Sequence, residues 1–302
     1  MKTWVPADSV VDVLSGLPGV ECVVYDGRSP MPEGIEEVEV WIPPLVTVPD
    51  VAGTLARMSS LRLVQTVSAG VEQYLPHIPR GVTLCNARGV HDAGTAEWAV
   101  GAMVAVLREF PGFVDAQRRG EWTYHHTDVL ADSTVLIVGY GSIGAALEKR
   151  LAGFEVEIVR VARSPRDGVH GLDELPALLP AADVVVLLVP ATTDTAGMVD
   201  AAFLARMKDG AVLVNAARGG IVDTEALIAE LKTGRLRAAL DVTAPEPLPE
   251  GHPLWSAPGL LITPHVAGST PASDRRTLRL LRAQLERYRA DEPLVNVITD
   301  AY

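Results

Sequence analysis

Glycines in the middle of the chain have the spacing of a phosphate-binding turn. The segment reads Gly139-Tyr140-Gly141-Ser142-Ile143-Gly144, or G-x-G-x-x-G. It stands between an apolar, strand-like run at 134–138 and a helical pattern at 145–151, which is the context that a dinucleotide site requires. Gly139 would form the tight turn, Gly141 would let the backbone approach a pyrophosphate, and Gly144 would let the helix pack on the strand. Free N–H groups at the start of the helix would bind the phosphate oxygens.

The residues after the next strand bear on which coenzyme binds there. An NAD site places a carboxylate at this point to bind the ribose 2′-hydroxyl. Here the strand-like run at 156–161 is followed by Ala162, and then by Arg163, Ser164 and Arg166. These side chains could hold a 2′-phosphate through charge-assisted hydrogen bonds, although a solvated basic loop has the same composition. We therefore favour NADP over NAD.

Three further polar residues follow separate strand-like runs in the second half of the chain, namely Arg218, Glu246 and His265. The carboxyl ends of parallel strands open into the ligand crevice of an α/β sheet. A purely structural role does not readily account for a cation, a carboxylate and an imidazole that all lie at such an edge. Together they predict a catalytic site.

The elements that must position these residues are short β-branched runs that alternate with helical patterns. This alternation predicts an α/β fold with parallel sheets and crossover helices. A first series of strand-like runs lies at 21–25, 37–42, 61–67 and 82–86. A second series, nearly all apolar as expected for strands covered on both faces, lies at 134–138, 156–161, 184–189, 211–214, 238–242 and 260–263. Helical patterns lie at 49–58, 95–108 and 274–290, and the last could pack back across the first domain.

Composition excludes several classes of protein. The 302 residues include 38 acidic and 26 basic ones, for a net charge of −12, so nucleic acid and anionic membranes are poor partners. The two cysteines, Cys22 and Cys85, form no Cys-x-x-Cys pair and fit buried thiols in a reducing cytoplasm. We expect neither a signal peptide nor a membrane-spanning segment, and hence a soluble, cytoplasmic protein.

The chain resembles the D-2-hydroxyacid dehydrogenase family, which includes glyoxylate/hydroxypyruvate reductases and phosphoglycerate dehydrogenases. The matching blocks, in family order, are 139–144, 190–195, 207–210, 215–223, 240–248 and 262–268. The resemblance implies two open parallel-sheet domains, with a Rossmann coenzyme domain inserted into a flavodoxin-like substrate domain. On this basis we predict the NAD(P)-binding domain at 95–269 and the substrate domain at 1–94 with 270–302.

The resemblance also implies catalytic roles. Arg218 would bind the substrate carboxylate, because its planar fork suits a bidentate ion pair, and would stabilise the developing oxyanion. His265 would protonate the carbonyl oxygen as hydride arrives and act as the base in the reverse direction. Glu246 would hydrogen-bond His265 and fix its tautomer. Asp241 would meet the nicotinamide carboxamide.

Binding residues follow from the same motifs. Those implied for the coenzyme are Thr95, Gly139, Tyr140, Gly141, Ser142, Ile143, Gly144, Arg163, Ser164, Val189, Pro190, Thr195, Ala216, Ala217, Arg218, Asp241, His265, Ala267 and Gly268. Those implied for the substrate are Ser68, Ala69, Gly70, Val71, Arg218 and His265. The Ser68 block would present backbone N–H groups to the substrate carboxylate, and its small residues allow close approach.

Several residues keep more than one interpretation. His91 fits a surface loop as well as a substrate contact, and Trp255 fits the pocket, core packing or a partner subunit. Trp122, His125 and His126 are predicted to belong to an extended loop. Adjacent histidines lack the spacing and the carboxylate partner of a zinc site, so we expect no metal.

Taken together, these features predict an oxidoreductase that transfers hydride between NAD(P)H and C2 of a small 2-keto acid, such as glyoxylate or hydroxypyruvate. Two alternatives remain open: a phosphite or formate dehydrogenase of the same superfamily, and a nucleotide-sensing corepressor. Family members commonly dimerise through the coenzyme domain, so the resemblance also favours a homodimer.

Overall fold

The computed structural model describes residues 1–45 and 48–299, and all residue-level statements below concern this part of the chain. Residues 46, 47 and 300–302, which fall in the predicted substrate domain, lie outside it. The chain forms two compact units. We call Met1–His91 with Pro271–Tyr302 the discontinuous unit, and Asp92–Thr270 the inserted unit.

The strands follow the predicted series, with one addition at the start of the chain. They are β1 (Lys2–Val5), β2 (Glu21–Val24), β3 (Val38–Trp41), β4 (Leu63–Gln65), β5 (Thr83–Cys85), β6 (Thr134–Val138), β7 (Glu157–Val161), β8 (Val184–Leu187), β9 (Val212–Asn215), β10 (Arg237–Leu240) and β11 (Leu260–Ile262). The α-helices are α1 (Asp8–Leu14), α2 (Val51–Arg57), α3 (Asp92–Leu107), α4 (Phe110–Arg119), α5 (Ser142–Leu151), α6 (Leu175–Leu178), α7 (Ala201–Arg206), α8 (Thr224–Thr233) and α9 (Pro271–Arg289).

The discontinuous unit is built on a parallel sheet in the order β2-β1-β3-β4-β5, which is the flavodoxin-like order. One apolar cluster joins one face of the sheet to α2 and includes Trp4, Trp41 and Leu55. The cluster on the other face includes Leu14 of α1 and Leu285 of α9. The C-terminal helix therefore packs back onto the first sheet, as predicted.

The inserted unit is built on a second parallel sheet in the order β11-β10-β9-β8-β6-β7. Alternate residues of β6 enter opposite apolar clusters: Leu136 packs in the cluster of α7 and α8, and Ile137 packs in that of α3 and α5. Burial on both faces is the physical reason for the continuous apolar runs in the sequence. The predicted fold class, two open parallel sheets with one domain inserted into the other, is confirmed.

Strand direction places the functional loops of the inserted unit at one edge. All its strand pairs are parallel, so the segments that follow β6 through β11 leave the sheet at the same edge. The order reverses between β6 and β8, and such a switch point is where open α/β sheets bind ligands. Within the described part of the chain, no helix combines the length and apolar character needed to cross a bilayer.

Candidate active site

The turn after β6 has the backbone geometry that a dinucleotide needs. Gly139 has a φ of 107°, and a Cβ at this position would lie 2.5 Å from the backbone carbon of Leu188, so only glycine fits. A Cβ built on Gly141 meets nothing within 4 Å, which leaves open space beside the backbone. Helix α5 begins at Ser142 with no side-chain cap, so its first N–H groups remain available to phosphate oxygens. The turn therefore fits a pyrophosphate.

The loop after β8 is held by Thr195, whose side chain is buried. Its Oγ1 donates to the carbonyl oxygen of Pro190 at 2.6 Å and accepts from the N–H of Thr192 at 2.9 Å. Val189 before the loop is also buried, as is Thr95 on α3. Of these predicted coenzyme residues, Val189, Pro190 and Thr195 belong to the segment that follows β8 at the carboxyl edge of the sheet.

The imidazole of His265 pairs with the carboxylate of Glu246. His265 Nδ1 lies 2.5 Å from Glu246 Oε1, and both side chains are about half exposed. An ionised carboxylate only accepts hydrogen bonds, so Nδ1 carries the hydrogen and Nε2 is left as the nitrogen for proton transfer. The predicted contact between these two residues is present in the structure.

Asp241 positions the loop that carries His265. Asp241 is 2% exposed, and its carboxylate accepts hydrogen bonds from Thr263 Oγ1 at 2.6 Å and from the N–H groups of Val266 and Ala267, both at 2.9 Å. The N–H of His265 also donates to the carbonyl oxygen of Asp241 at 2.7 Å. These bonds support the left-handed backbone of His265, whose φ is 55°. Sequence reasoning gave Asp241 a coenzyme contact and missed this anchoring role.

We expect Asp241→Asn to lower kcat by about 10²-fold, because an amide cannot accept all of these bonds and displaced catalytic groups lose their alignment. Steady-state kinetics and thermal unfolding of the variant measure this effect. Asp183→Asn is the matched control. Asp183 accepts from the N–H of Thr134 at 2.8 Å at the opposite end of the sheet, so its loss should reduce stability and leave kcat unchanged. Equal kcat values for Asp241→Asn and wild type would contradict the anchoring role.

Arg218 belongs to a loop that Asn215 fixes at the end of β9. The buried Asn215 side chain accepts from the N–H of Ala217 at 3.0 Å and donates to the carbonyl oxygen of Arg218 at 3.0 Å. The guanidinium of Arg218 donates through Nη1 to the carbonyl oxygen of Ala217 at 2.7 Å. Direct hydrogen bonds thus connect Asp241, Glu246 and His265. Arg218 follows β9, which pairs with β10 in the sheet, so it lies at the same edge.

The loop after β4 in the discontinuous unit has an unusual hydrogen-bond pattern, because each carbonyl oxygen from residue 66 to 70 accepts a hydrogen bond. Gln65 Nε2 donates to the carbonyl oxygen of Thr66, and the His91 ring donates to that of Val67. The carbonyl oxygen of Ser68 accepts from Thr66 Oγ1 and from the N–H of Ala87. Asn86 Nδ2 donates to the carbonyl oxygen of Ala69, and Ser68 Oγ donates to that of Gly70. With the carbonyl oxygens engaged inside the protein, the N–H groups of Gly70 and Val71 meet no acceptor in the described part of the chain. This is the geometry of an anion-binding loop. His91 supports the loop through Val67, at 2.8 Å.

The remaining sequence candidates lie away from these contacts. Residues 121–129, which we call the arm, follow α4 without helix or strand, as predicted for the segment of Trp122, His125 and His126. His125 pairs with Glu109 at 3.0 Å and stacks on Phe113. Trp255 donates through Nε1 to the carbonyl oxygen of Pro249 at 2.8 Å. No cluster of three or more metal-ligating side chains occurs over residues 1–45 and 48–299.

Comparison with known protein families identifies the family to which this chain belongs. Residues 100–267 match the model of the NAD binding domain of D-isomer specific 2-hydroxyacid dehydrogenases. The chain belongs to this family. Its predicted membership is confirmed, and residues 100–267 lie entirely within the inserted unit.

Individual D-2-hydroxyacid dehydrogenases are similar over most of the chain. Glycerate dehydrogenase from Methylorubrum extorquens is 34% identical over 79% of this chain and 78% of its own. A D-isomer specific 2-hydroxyacid dehydrogenase from Xanthobacter autotrophicus, solved in complex with NADPH and MES, is 30% identical with a TM-score of 0.85, over 98% of this chain and 97% of its own. An NADPH-dependent glyoxylate/hydroxypyruvate reductase from Sinorhizobium meliloti, solved with NADP and malonate, is 26% identical with a TM-score of 0.84, over 99% of this chain and 96% of its own.

Proposed function

We propose that this D-2-hydroxyacid dehydrogenase reduces a small 2-keto acid, either glyoxylate to glycolate or hydroxypyruvate to D-glycerate. The observation that carries the proposal is the contact between His265 Nδ1 and Glu246 Oε1, because it prepares a proton donor at the ligand-binding edge of the sheet. Similar proteins are named glycerate dehydrogenase and glyoxylate reductase/hydroxypyruvate reductase, which supports this substrate class.

Proton transfer is the part of the reaction that the chain itself performs. When bound, a nicotinamide coenzyme supplies the hydride that C2 of the keto acid receives. His265, protonated on both nitrogens, donates the proton on Nε2 to the carbonyl oxygen, which becomes a neutral hydroxyl group. Glu246 holds Nδ1 throughout and stabilises the imidazolium before transfer. In the oxidative direction the neutral Nε2 accepts the same proton.

For the substrate carboxylate we propose two kinds of donor, each considered within its own unit: a guanidinium and backbone N–H groups. Arg218 offers a planar pair of donors that matches a carboxylate, and its charge also stabilises the oxygen that gains negative character. Ser68, Ala69, Gly70 and Val71 form the loop whose carbonyl oxygens are engaged internally. Gly70 and Val71 would supply N–H donors, and a loop of small residues lets a small acid approach the backbone.

NADP is the coenzyme we propose, bound by the turn at 139–144 and the loop after β7. No carboxylate follows β7 at the position of Ala162, while Arg163 and Ser164 come next. The similar Xanthobacter and Sinorhizobium structures were solved with NADPH and NADP, which supports this choice.

The double variant Ala162→Asp/Arg163→Ala should shift the preference toward NAD. It introduces a carboxylate that can accept from the ribose 2′-hydroxyl and removes a cation that pairs with a 2′-phosphate. We expect the ratio of kcat/KM for NADPH over NADH to fall by about 10- to 100-fold. An unchanged ratio would reject the assignment of this loop.

Nicotinamide absorbance decay tests the substrate class. Purified protein would receive NADPH or NADH with glyoxylate, hydroxypyruvate, pyruvate, 2-ketobutyrate and phenylpyruvate, and kcat/KM would be compared. We expect the first two acids to react fastest and phenylpyruvate slowest. In the oxidative direction, turnover of phosphite or formate in place of hydroxy acids would favour the superfamily alternative. Tight coenzyme binding without turnover would favour a sensing role.

A homodimer is the assembly that we propose, formed through α4 and the arm. Trp122 is 97% exposed and Tyr124 is 81% exposed, and Phe110 and Val114 of α4 and Val129 of the arm are exposed as well. Together with Phe113 and Ala116, the arm lines an open cavity of about 530 Å³. Large exposed apolar groups concentrated in one region are typical of protein interfaces. Light scattering should give wild type twice the mass of one chain and Trp122→Ser/Tyr124→Ser the mass of one; a monomeric wild type would contradict the proposal.

The two free thiols support a location in a reducing compartment, and we propose the cytoplasm. Cys22 and Cys85 are both free, and Cys85 is buried in the apolar core of the discontinuous unit. Burial raises the pKa of the Cys85 thiol to about 11, so it stays protonated and unreactive at neutral pH. Fractionation of cells that express the protein would test this location.

A further inference from the structure

The aromatic residue inside the glycine motif makes contacts that the motif alone does not require. Tyr140 is half-buried, and its ring lies close to Gly144, where a Cβ would approach ring atom Cδ2 to 3.3 Å. Its hydroxyl donates to Oε2 of Glu148, one turn further along α5. The ring is therefore fixed both by packing on the third glycine and by a hydrogen bond at its far end.

Two arginines approach this ring. The guanidinium carbons of Arg160 and Arg166 each lie 5.7 Å from the ring centroid, within the range of a cation–π contact. Arg160, on β7, is neutralised by Glu148, which accepts from Arg160 Nε at 2.9 Å and also from Nη2. Arg160 lowers the pKa of the Glu148 carboxyl, and Glu148 raises the pKa of the Tyr140 phenol. Both groups thus keep these hydrogen-bonding roles at neutral pH.

Arg166 differs from Arg160 in its hydrogen-bond partners, which are backbone carbonyl oxygens and not a carboxylate. Its Nη2 donates to the carbonyl oxygen of Tyr140 at 2.9 Å, and its Nη1 lies 3.4 Å from the carbonyl oxygen of Ser164. No carboxylate pairs with it in the part of the chain that the structure describes. Arg166 is therefore a cation held by backbone oxygens and an aromatic ring, with donors to spare, in the loop that follows β7.

We propose that Tyr140 is a specificity-positioning residue for the coenzyme: it holds Arg166 where the guanidinium binds the 2′-phosphate of NADP. The inference rests on the proposed preference for NADP and deepens it. The glycine turn and the end of β7 are joined directly, because the N–H groups of Gly139 and Tyr140 donate to the carbonyl oxygen of Val161 at 2.9 and 2.8 Å. The ribose of a bound dinucleotide lies at the end of this strand in such folds. The Tyr140 ring, its carbonyl oxygen and Arg166 are thus connected to the phosphate-binding turn by direct contacts.

Calorimetric titration of the full-length protein with NADP⁺ and NAD⁺ tests the proposal. The readout is the selectivity, defined as the Kd for NAD⁺ divided by the Kd for NADP⁺. Arg166→Ala should lower the selectivity about 10- to 100-fold, through NADP⁺ alone. Tyr140→Leu should lower it about 3- to 30-fold, and Tyr140→Phe, which keeps the ring, should retain most of it.

The double variant Tyr140→Leu/Arg166→Ala decides whether Tyr140 acts through Arg166. We expect its selectivity to equal that of Arg166→Ala, because the ring has then nothing to position. Arg150→Ala is the control, since Arg150 lies on α5 and donates to the carbonyl oxygen of Ala146. Its selectivity should stay within twofold of wild type.

Each contrary result has a distinct meaning. Additive losses in the double variant, or equal weakening of NADP⁺ and NAD⁺ by Tyr140→Leu, would overturn the positioning role and leave the coenzyme preference intact. A wild-type selectivity near 1 would overturn the coenzyme preference, and the positioning role with it.

Discussion

His265→Ala should lower kcat for keto-acid reduction by about 10²- to 10⁴-fold while the Kd for NADPH stays within about threefold. The imidazole is the proposed proton donor, and no other side chain contacts Glu246 through a hydrogen bond in the described part of the chain. Both partners are about half exposed, so the truncation leaves neither a cavity nor a buried unpaired charge. Stopped-flow absorbance and coenzyme fluorescence titration measure the two quantities separately.

The chain contains a matched control for this variant. His170 pairs with Glu174 at 2.8 Å, and their side chains are 43% and 47% exposed, close to the 48% and 41% of His265 and Glu246. His170→Ala removes the same kind of surface pair and should leave kcat at saturating NADPH unchanged. A His265→Ala enzyme as fast as wild type would reject the role of the imidazole.

Arg218→Ala should lower kcat/KM by about 10²- to 10³-fold, with KM rising and kcat falling together. In the proposed mechanism the guanidinium contacts the substrate carboxylate in the ground state and the developing oxyanion in the transition state, so both parameters should report its loss. Arg218→Lys should recover only part of the activity, because an ammonium keeps the charge and loses the planar fork.

Arg206→Ala serves as the control for this second result. Arg206 lies on α7 in the same unit and donates to the carbonyl oxygen of Ala202, so its removal changes the net charge equally. We expect its kcat/KM to match wild type. If Arg218→Lys were as active as wild type, bidentate binding of the carboxylate by Arg218 would be wrong.

The apolar runs predicted the second sheet well because burial on both faces leaves a continuous signal in the sequence. Strand β1 escaped prediction for the opposite reason. Lys2-Thr3-Trp4-Val5 is short and half polar, yet its neighbours β2 and β3 cover both its edges and Trp4 is fully buried. Only pairing with strands 16 or more residues away makes this segment an interior strand of a sheet.

In the candidate site, the types of the functional residues could be predicted from the sequence, but the hydrogen bonds that hold their loops in place could not. The strand-end positions of Arg218, Glu246 and His265 followed from local pattern and family resemblance. The anchoring of the His265 loop by Asp241 depends on backbone N–H groups 25 and 26 residues away. Such contacts leave no local signal, because a backbone donor is present at nearly every residue.

The proposed reaction of this site is delivery of hydride and a proton to the carbonyl of a 2-keto acid with D stereochemistry. Reduction of hydroxypyruvate with NADPH, followed by chiral chromatography of the product, tests it most directly. We predict that D-glycerate forms in step with NADPH loss, one molecule for each coenzyme oxidised, and that His265→Ala slows both equally. L-glycerate, a racemic product, or NADPH loss without glycerate would contradict the account.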